Sequence, residues 1–111
     1  MRFLIVDDSA VMRQTIKSIV ALPGDETAEC PDGSSVLAAF KAFKPDWVLM
    51  DVKMTPISGL QATRELKSAF PNAHVAIVTN YGDQEFRDEA KAAGADKYFL
   101  KDNLMAIRRQ L

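Results

Sequence analysis

Short apolar runs without polar interruption recur along the chain, separated by longer amphipathic segments. The strongest runs are residues 3–6, 47–50 and 75–78, and weaker ones are residues 27–30 and 97–100. A short apolar run that does not alternate is typical of a strand in a parallel sheet that is covered on both faces. The pattern therefore predicts a sheet of buried parallel strands.

Helical periodicity fills the segments between these strands, with apolar residues recurring at spacings of three and four. The helices are predicted to begin after the N-cap residue Ser9, at Asp32-Gly33, at Gly59, near Asp83 and, for a short last helix, at about Asn103. Regular alternation of strands and helices implies right-handed crossovers and a doubly wound α/β sandwich. No linker or repeat interrupts it, so the sequence predicts one domain over residues 1–111.

Composition narrows the class of protein. Hydrophobic residues make up 48% and charged residues 26%, which are ordinary globular values. A net charge of −1 argues against nucleic acid or a membrane as the main partner. The single cysteine, Cys30, excludes an intramolecular disulfide or a cysteine-based metal cluster. The first apolar run is too short for a signal peptide or a membrane span, so we expect a soluble, cytoplasmic protein.

Polar side chains follow most of the predicted strands directly. Asp7 and Asp8 follow the first strand, Asp51 the third, Thr79 the fourth and Lys101 the fifth. Ligands of open parallel sheets bind beyond the carboxyl ends of the strands, where the strand order reverses. Crowded carboxylates repel one another unless a cation intervenes, and oxygen ligands favour a hard cation such as Mg²⁺. Each residue alone has an ordinary role in capping, turns or solvation, but together they predict a metal and phosphoryl site.

At these positions the sequence resembles the receiver domain of two-component response regulators, with a weaker similarity to chemotaxis regulators over residues 7–13. Residues 4–9 match the family's first strand and acidic pair, residues 45–54 its phosphoacceptor segment, and residues 93–101 its fifth strand. The spacings of Gly59 from Asp51 and of Lys101 from Thr79 also match. The resemblance covers essentially the whole chain and implies a flavodoxin-like fold, with a five-stranded parallel sheet in the order 2-1-3-4-5.

The resemblance implies how the acidic residues act. Asp51 would be the nucleophile that accepts a phosphoryl group from a phosphohistidine. Asp8, Asp51 and the backbone carbonyl of Lys53 would bind Mg²⁺ directly, and Asp7 would hold a water molecule on the metal. A protein of this kind is a phosphoacceptor switch and not an enzyme in the usual sense.

The resemblance also implies a switch and a control of its lifetime. Lys101 and Thr79 would contact phosphoryl oxygens, with an inward shift of Thr79 as the switch and a rotamer change of Tyr98 as the response. Lys53 and Tyr81 flank the path of the hydrolytic water and would set the lifetime of the phosphorylated state. We expect the ring of Tyr81 to exclude that water.

The implied partners are proteins. A sensor histidine kinase or a histidine phosphotransfer protein would donate the phosphoryl group. The fourth helix, fifth strand and fifth helix would pass the change to a downstream target or to an output domain absent from this chain. The receiver itself would be a monomer or a weak dimer. Two positions depart from the family, because Thr55 and Asp102 stand where the family often has proline. The last helix is also short.

Other functions remain possible on the same layer order. A phosphorylation-independent docking module would be expected to lose the acidic pair, the phosphoacceptor or the lysine, and none of these is missing. A small aspartyl phosphatase of the haloacid dehalogenase type needs aspartates separated by one residue, whereas Asp7 and Asp8 are adjacent. A flavodoxin-type module needs a phosphate-binding loop after the first strand, where an acidic pair would repel phosphate.

Overall fold

The computed structural model describes residues 1–111, in which five strands alternate with five α-helices. The strands are β1 (Arg2–Val6), β2 (Glu26–Cys30), β3 (Trp47–Met50), β4 (Val75–Thr79) and β5 (Lys97–Leu100). The α-helices are α1 (Ala10–Val20), α2 (Val36–Phe43), α3 (Gly59–Ala69), α4 (Gln84–Ala92) and α5 (Met105–Gln110). None of these helices combines the length and the apolar character that a membrane crossing needs.

The strands form one parallel sheet in the order β2-β1-β3-β4-β5, which confirms the predicted fold class. The chain moves outward from β1 in one direction to β2 and in the other to β3, so the order reverses between β1 and β3. The register pairs Val6 with Met50 and Met50 with Ile77. The carboxyl ends of these strands are therefore level, and the residues that follow them meet at one edge of the sheet.

Both faces of the sheet are buried, because successive side chains of a strand point to opposite faces. Leu4, Val48 and Ile77 pack with α2, α3 and α4 on one face. Ile5 and Leu49 pack with α1 and α5 on the other face. Each buried aliphatic side chain contributes about 1.5–3 kcal/mol relative to an exposed one. The double cover explains why the strand sequences are apolar without alternation.

Serine residues fix the starts of two helices at the edge of the sheet where the carboxyl ends of the strands lie. Ser9 Oγ accepts a hydrogen bond of 3.2 Å from Met12 N at the start of α1, as predicted. Ser58 Oγ accepts a bond of the same length from Gln61 N at the start of α3. These caps satisfy amide donors that have no partner within the helix. They also direct the chain from the strand ends into the helices.

Two helix starts differ from the prediction. Residues Gly33–Ser35 form a 3₁₀ turn because the Asp32 carboxylate accepts a hydrogen bond from Ser35 N, and α2 begins only at Val36. A second 3₁₀ turn, Lys101–Asn103, follows β5 directly and delays α5 to Met105. The helix predicted from about Asn103 is therefore only six residues long. The one cis peptide bond precedes Pro56, so the peptide between Lys101 and Asp102 is trans.

Candidate functional site

Backbone hydrogen bonds at the end of the sheet place two aspartates side by side. Asp51 N donates to Val6 O at 2.9 Å, and Asp7 N donates to Cys30 O at 3.2 Å. These bonds continue the pairing of β3 with β1 and of β1 with β2 by one residue. With Asp8, the two aspartates present carboxylate oxygens that all lie within 4.8 Å of one another. The structure thus brings together the acidic residues that the strand-end pattern predicted.

The three carboxylates differ in their access to solvent. Asp7 is 1% exposed and Asp51 is 5% exposed, whereas Asp8 is exposed. Asp7 is held in place because its Oδ1 accepts a hydrogen bond of 2.9 Å from Ser9 N. Asp7 therefore lies at the buried base of the site, and Asp8 lies on its solvent-exposed side.

Lys101 provides the positive charge within this site. Its Nζ lies 2.9 Å from Asp7 Oδ2 and 3.1 Å from Asp51 Oδ1. Burial alone would lower the pKa of Lys101, but its contact with Asp7 and the charge of Asp51 outweigh burial and raise the pKa. The lysine is therefore a fixed cation between the two buried carboxylates.

One lysine does not balance three carboxylates, and the titration of Asp51 reflects this. Burial raises the pKa of Asp51, the charge of Asp7 adds to the effect, and Lys101 opposes it. Asp7 Oδ2 is a buried oxygen without a hydrogen bond, although Lys101 Nζ lies 2.9 Å away. The site thus has an excess of negative charge and only oxygen ligands, which fits Mg²⁺.

Thr79 is the last residue of β4 and is buried at the same edge of the sheet. Its Oγ1 accepts a hydrogen bond of 3.3 Å from Tyr81 N. The hydroxyl is therefore tied to the segment that leads into α4. A movement of Thr79 would move the backbone of this segment with it.

Tyr98 is tied to the same segment through its hydroxyl group. The half-buried side chain packs against the core on the α2–α4 face of the sheet, and its hydroxyl donates a hydrogen bond to the carbonyl oxygen of Tyr81. Burial raises the pKa of this hydroxyl. Thr79 and Tyr98 thus contact neighbouring backbone groups of one residue, as a switch that links them would require.

Lys53 and Tyr81 lie together beside the carboxylates. Lys53 Nζ is 4.9 Å from the centroid of the Tyr81 ring, and that ring stacks on Phe86 at 5.1 Å. A cavity of about 370 Å³ next to them is lined by Asp8, Lys53, Phe86 and Glu89 among other residues. The two predicted lifetime residues are therefore in contact with each other, and Phe86 supports the ring.

Sequence reasoning missed Arg13, which holds the β1–α1 turn in place. Its Nη1 donates to Asp7 O at 2.7 Å, and its Nε pairs with Glu29 Oε1 at 2.8 Å. The guanidinium fixes the backbone of Asp7 while leaving the carboxylate free to face Lys101. The sequence carries no signal for this contact, since an arginine in a first helical turn is ordinarily solvated.

Gly59 allows α3 to begin against the Asp51 loop. Gly59 N donates to Val52 O at 2.9 Å, and a Cβ atom added at Gly59 would lie 1.7 Å from Asp51 O. No side chain fits at that distance. The glycine that stands eight residues after Asp51 (59 − 51) is therefore required by the packing of the loop.

The family model described as the response regulator receiver domain matches residues 3–109. The chain belongs to the response regulator receiver family. Among curated relatives of this receiver domain, the chemotaxis protein CheY of Thermotoga maritima is 38% identical over 101 residues, which cover 90% of this chain and 84% of that protein. The transcriptional regulatory protein YxjL of Bacillus subtilis is 36% identical over 105 residues, which cover 93% of this chain and 48% of that protein.

Solved structures agree with the family assignment of the receiver domain. CheY4 of Vibrio cholerae superposes with a TM-score of 0.86 at 25% identity, covering 99% of this chain and 98% of that one. The response regulator domain of Thermotoga maritima CheB has the same TM-score and identity, covering 99% and 89% of the two chains. The chain thus spans most of the length of CheY-type relatives but about half the length of YxjL.

Proposed function

We propose that this receiver domain accepts a phosphoryl group on Asp51 from a phosphohistidine of a sensor kinase or phosphotransfer protein. The observation that carries the proposal is the position of Lys101 Nζ, 3.1 Å from Asp51 Oδ1 and 2.9 Å from Asp7 Oδ2. A bond forms between an Asp51 carboxylate oxygen and phosphorus as the phosphorus–nitrogen bond of the donor breaks, and the imidazole leaves with the electron pair. Lys101 would stabilise the charge on the transferred group.

The chain brings carboxylate oxygens of Asp7, Asp8 and Asp51 together as candidate ligands for Mg²⁺. Asp8, Asp51 and the backbone carbonyl of Lys53 would hold the ion, and Asp7 would orient a water molecule on it. When bound, the ion supplies positive charge that offsets the repulsion between the carboxylates and the phosphoryl oxygens. Lys101 keeps the Asp51 carboxylate in position, because its Nζ contacts Asp51 Oδ1 and is itself held by Asp7 Oδ2.

Incubation with a small phosphodonor such as phosphoramidate tests the proposed function. We expect the intact mass to increase by one phosphoryl group when Mg²⁺ is present, and the addition to be lost when the ion is chelated. An unchanged mass under both conditions would favour a docking module that works without phosphorylation. Mass added equally with and without the ion would contradict the metal site.

Mg²⁺ is expected to stabilise the chain, because it binds the folded carboxylate cluster and not the unfolded chain. At a concentration of tenfold its dissociation constant, the ion adds roughly 1.4 kcal/mol to the free energy of unfolding. The melting temperature should then rise by roughly 5 °C. Asp8→Ala should remove most of this rise, whereas the control Asp102→Ala, at an exposed aspartate, should keep it. An equal rise in both variants would place the ion elsewhere.

Thr79→Ala is expected to accept the phosphoryl group but to lose the structural response. The Thr79 hydroxyl is tied to Tyr81 N, and Tyr98 is tied to the Tyr81 carbonyl, so removing the hydroxyl disconnects the site from α4 and β5. Backbone amide NMR shifts of α4 and β5 on phosphorylation would measure the response. Thr79→Ser, which keeps the hydroxyl, is the matched control. Loss of labelling in the alanine variant would instead make Thr79 part of the transfer chemistry.

Tyr81→Ala is expected to shorten the lifetime of the phosphorylated state, which in the wild type should be minutes or longer. The ring lies against Lys53 Nζ and on Phe86. From this position it would cover the approach of water to Asp51. We expect the phosphorylated variant to decay about threefold faster than the wild type, which corresponds to a barrier to hydrolysis lower by about 0.7 kcal/mol. Tyr81→Phe keeps the ring and should decay like the wild type. Slower decay in Tyr81→Ala, or a wild-type half-life of seconds, would contradict this role.

We propose that the region of residues 1–111 acts as one receiver domain whose output passes through α4, β5 and α5 to a protein partner. The partner is either a separate target or an output domain joined to the receiver. The two relatives differ in this respect in length, since the chain spans 84% of the chemotaxis protein CheY and 48% of the transcriptional regulatory protein YxjL.

A further inference from the structure

The backbone of Asp7 lies just beyond the end of β1, where the sheet supplies only one of its two hydrogen-bond partners. Asp7 N donates to Cys30 O at 3.2 Å, which extends the pairing of β1 with β2. No backbone amide donates to Asp7 O in return. Because Asp7 is 1% exposed, an unpaired carbonyl at this position would be costly. The missing donor must therefore come from a side chain.

Arg13, in the first turn of α1, supplies that donor. Its Nη1 donates to Asp7 O at 2.7 Å, a distance typical of a charge-assisted hydrogen bond. Its Nε pairs with Glu29 Oε1 on β2 at 2.8 Å. Only 15% of the arginine side chain and 39% of the glutamate side chain are exposed. The guanidinium therefore joins α1, β2 and the turn between β1 and α1.

Asp8 shares the peptide group that Arg13 holds. The carbonyl of Asp7 and the amide of Asp8 belong to one planar unit, so fixing the carbonyl oxygen also fixes the direction in which the chain enters Asp8. The Asp8 side chain is exposed and forms no hydrogen bond or salt bridge. Its carboxylate nevertheless lies within 4.8 Å of the other two carboxylates of the site. The backbone is therefore what keeps Asp8 in the cluster.

We infer that Arg13 is a positioning residue for the metal site, which orients the peptide between Asp7 and Asp8 so that the Asp8 carboxylate faces its neighbours. The inference rests on the proposed function, in which Asp8 is a direct ligand of Mg²⁺. Arg13 cannot itself be a ligand, because a guanidinium has no acceptor atom. Removing a group that holds a metal ligand in place typically weakens metal binding by about 10- to 100-fold.

The charge of Arg13 would have the opposite effect on metal binding. A cation beside the site repels a second cation, so an arginine that acted through its charge alone would weaken the binding of Mg²⁺. Glu29 reduces this repulsion, because it pairs with Arg13 at 2.8 Å. The sign of the change on removing the guanidinium therefore separates the two roles. Positioning predicts weaker binding of Mg²⁺, and charge alone predicts tighter binding.

Titration of the full chain with Mg²⁺, followed by backbone amide NMR, measures this sign without a phosphodonor. We expect Arg13→Ala to raise the dissociation constant of Mg²⁺ by roughly tenfold. Arg13→Lys keeps a cationic donor near Asp7 O and should bind the ion more tightly than Arg13→Ala. The control Arg64→Ala, at an exposed arginine on α3, should stay within about twofold of the wild type. Equal or tighter binding by Arg13→Ala would overturn the inference.

The NMR resonance of the Asp7 carbonyl carbon reports the hydrogen bond itself. A carbonyl carbon moves upfield when its oxygen loses a hydrogen-bond donor, so we expect this shift in Arg13→Ala and not in Arg64→Ala. Melting temperatures of both variants check that they are folded at the temperature of the titration. An unchanged Asp7 carbonyl resonance in Arg13→Ala would also overturn the inference, because the contact that carries it would then be absent in solution.

Phosphoryl transfer at a series of Mg²⁺ concentrations separates positioning from a general loss of structure. Arg13→Ala should need roughly tenfold more Mg²⁺ to reach half of its maximal rate. Its rate at saturating Mg²⁺ should stay within about threefold of the wild type, because the ion then occupies the site in both proteins. A lower rate at saturation with an unchanged requirement for Mg²⁺ would show a merely structural role and overturn the inference.

The titration without a phosphodonor keeps a failure of this inference apart from a failure of the proposed function. Weaker Mg²⁺ binding by Arg13→Ala, in a chain whose wild type accepts no phosphoryl group, would contradict the proposed function alone. Normal phosphorylation of the wild type, with the same requirement for Mg²⁺ in Arg13→Ala, would contradict the inference alone.

Discussion

Asp51→Asn is expected to reduce phosphoryl transfer by roughly a hundredfold or more, because an amide has no anionic oxygen to attack phosphorus. The substitution keeps the size of the side chain, and Lys101 keeps its contact with Asp7 at 2.9 Å. The fold should therefore remain intact. Intact mass after incubation with phosphoramidate and Mg²⁺ measures the loss. Asp102→Asn, at an exposed aspartate beside Lys101, is the control and should label like the wild type.

The same variant should be more stable than the wild type at neutral pH without Mg²⁺. The pKa of Asp51 in the folded chain is raised above its ordinary value of 3.8, so the folded chain holds that proton more tightly than the unfolded chain. The contribution of Asp51 to wild-type stability therefore falls as the pH rises from about 3.8 through the raised pKa, and the variant lacks this loss. Urea unfolding at pH 4 and pH 7 would show it. A variant that is less stable than the wild type at pH 7 would contradict the account.

Gly59→Ala is expected to cause the largest loss of stability among alanine substitutions at the five glycines of the chain. The added Cβ would lie 1.7 Å from Asp51 O and 3.0 Å from Val52 Cα, and both contacts are with backbone. The loop that carries Asp51 must move or α3 must begin later. We expect a loss of about 3 kcal/mol in the free energy of unfolding and a melting temperature lower by roughly 10 °C. Phosphoryl transfer should slow as well, because the Asp51 backbone is displaced.

Gly82→Ala is the matched control for this substitution. A Cβ atom at Gly82 would lie 3.5 Å from the nearest side-chain atom, on Leu100, which is an ordinary contact. We expect its free energy of unfolding to stay within about 0.5 kcal/mol of the wild type. Equal effects of the two substitutions would mean that the approach of Gly59 to the Asp51 loop does not constrain the structure.

The sequence predicts most of the fold because burial on both faces makes the strands apolar. Residues 47–50 and 97–100 were predicted with the bounds that the structure has, and β1, β2 and β4 differ by one residue at one end. The starts of α2 and α5 could not be predicted. Each follows a 3₁₀ turn, and a turn of three residues leaves no periodicity to detect.

The acidic residues of the site could be predicted because strand ends in a parallel sheet meet at one edge. This rule, with the family resemblance, placed Asp7, Asp51 and Lys101 together. It could not provide the contacts of Arg13, because a long side chain can reach many partners and only the packed structure selects one. This arginine also has no fixed spacing from the residues that it contacts.

The measurement that tests the central claim most directly is the chemical location of the phosphoryl group. Borohydride reduces an aspartyl phosphate to homoserine, so peptide sequencing by mass spectrometry after phosphorylation and reduction identifies the acceptor residue. The account predicts homoserine at Asp51, dependent on Mg²⁺, with Asp7 and Asp8 unchanged. Homoserine at either of those residues, or a phosphoryl group that leaves no homoserine at all, would contradict it.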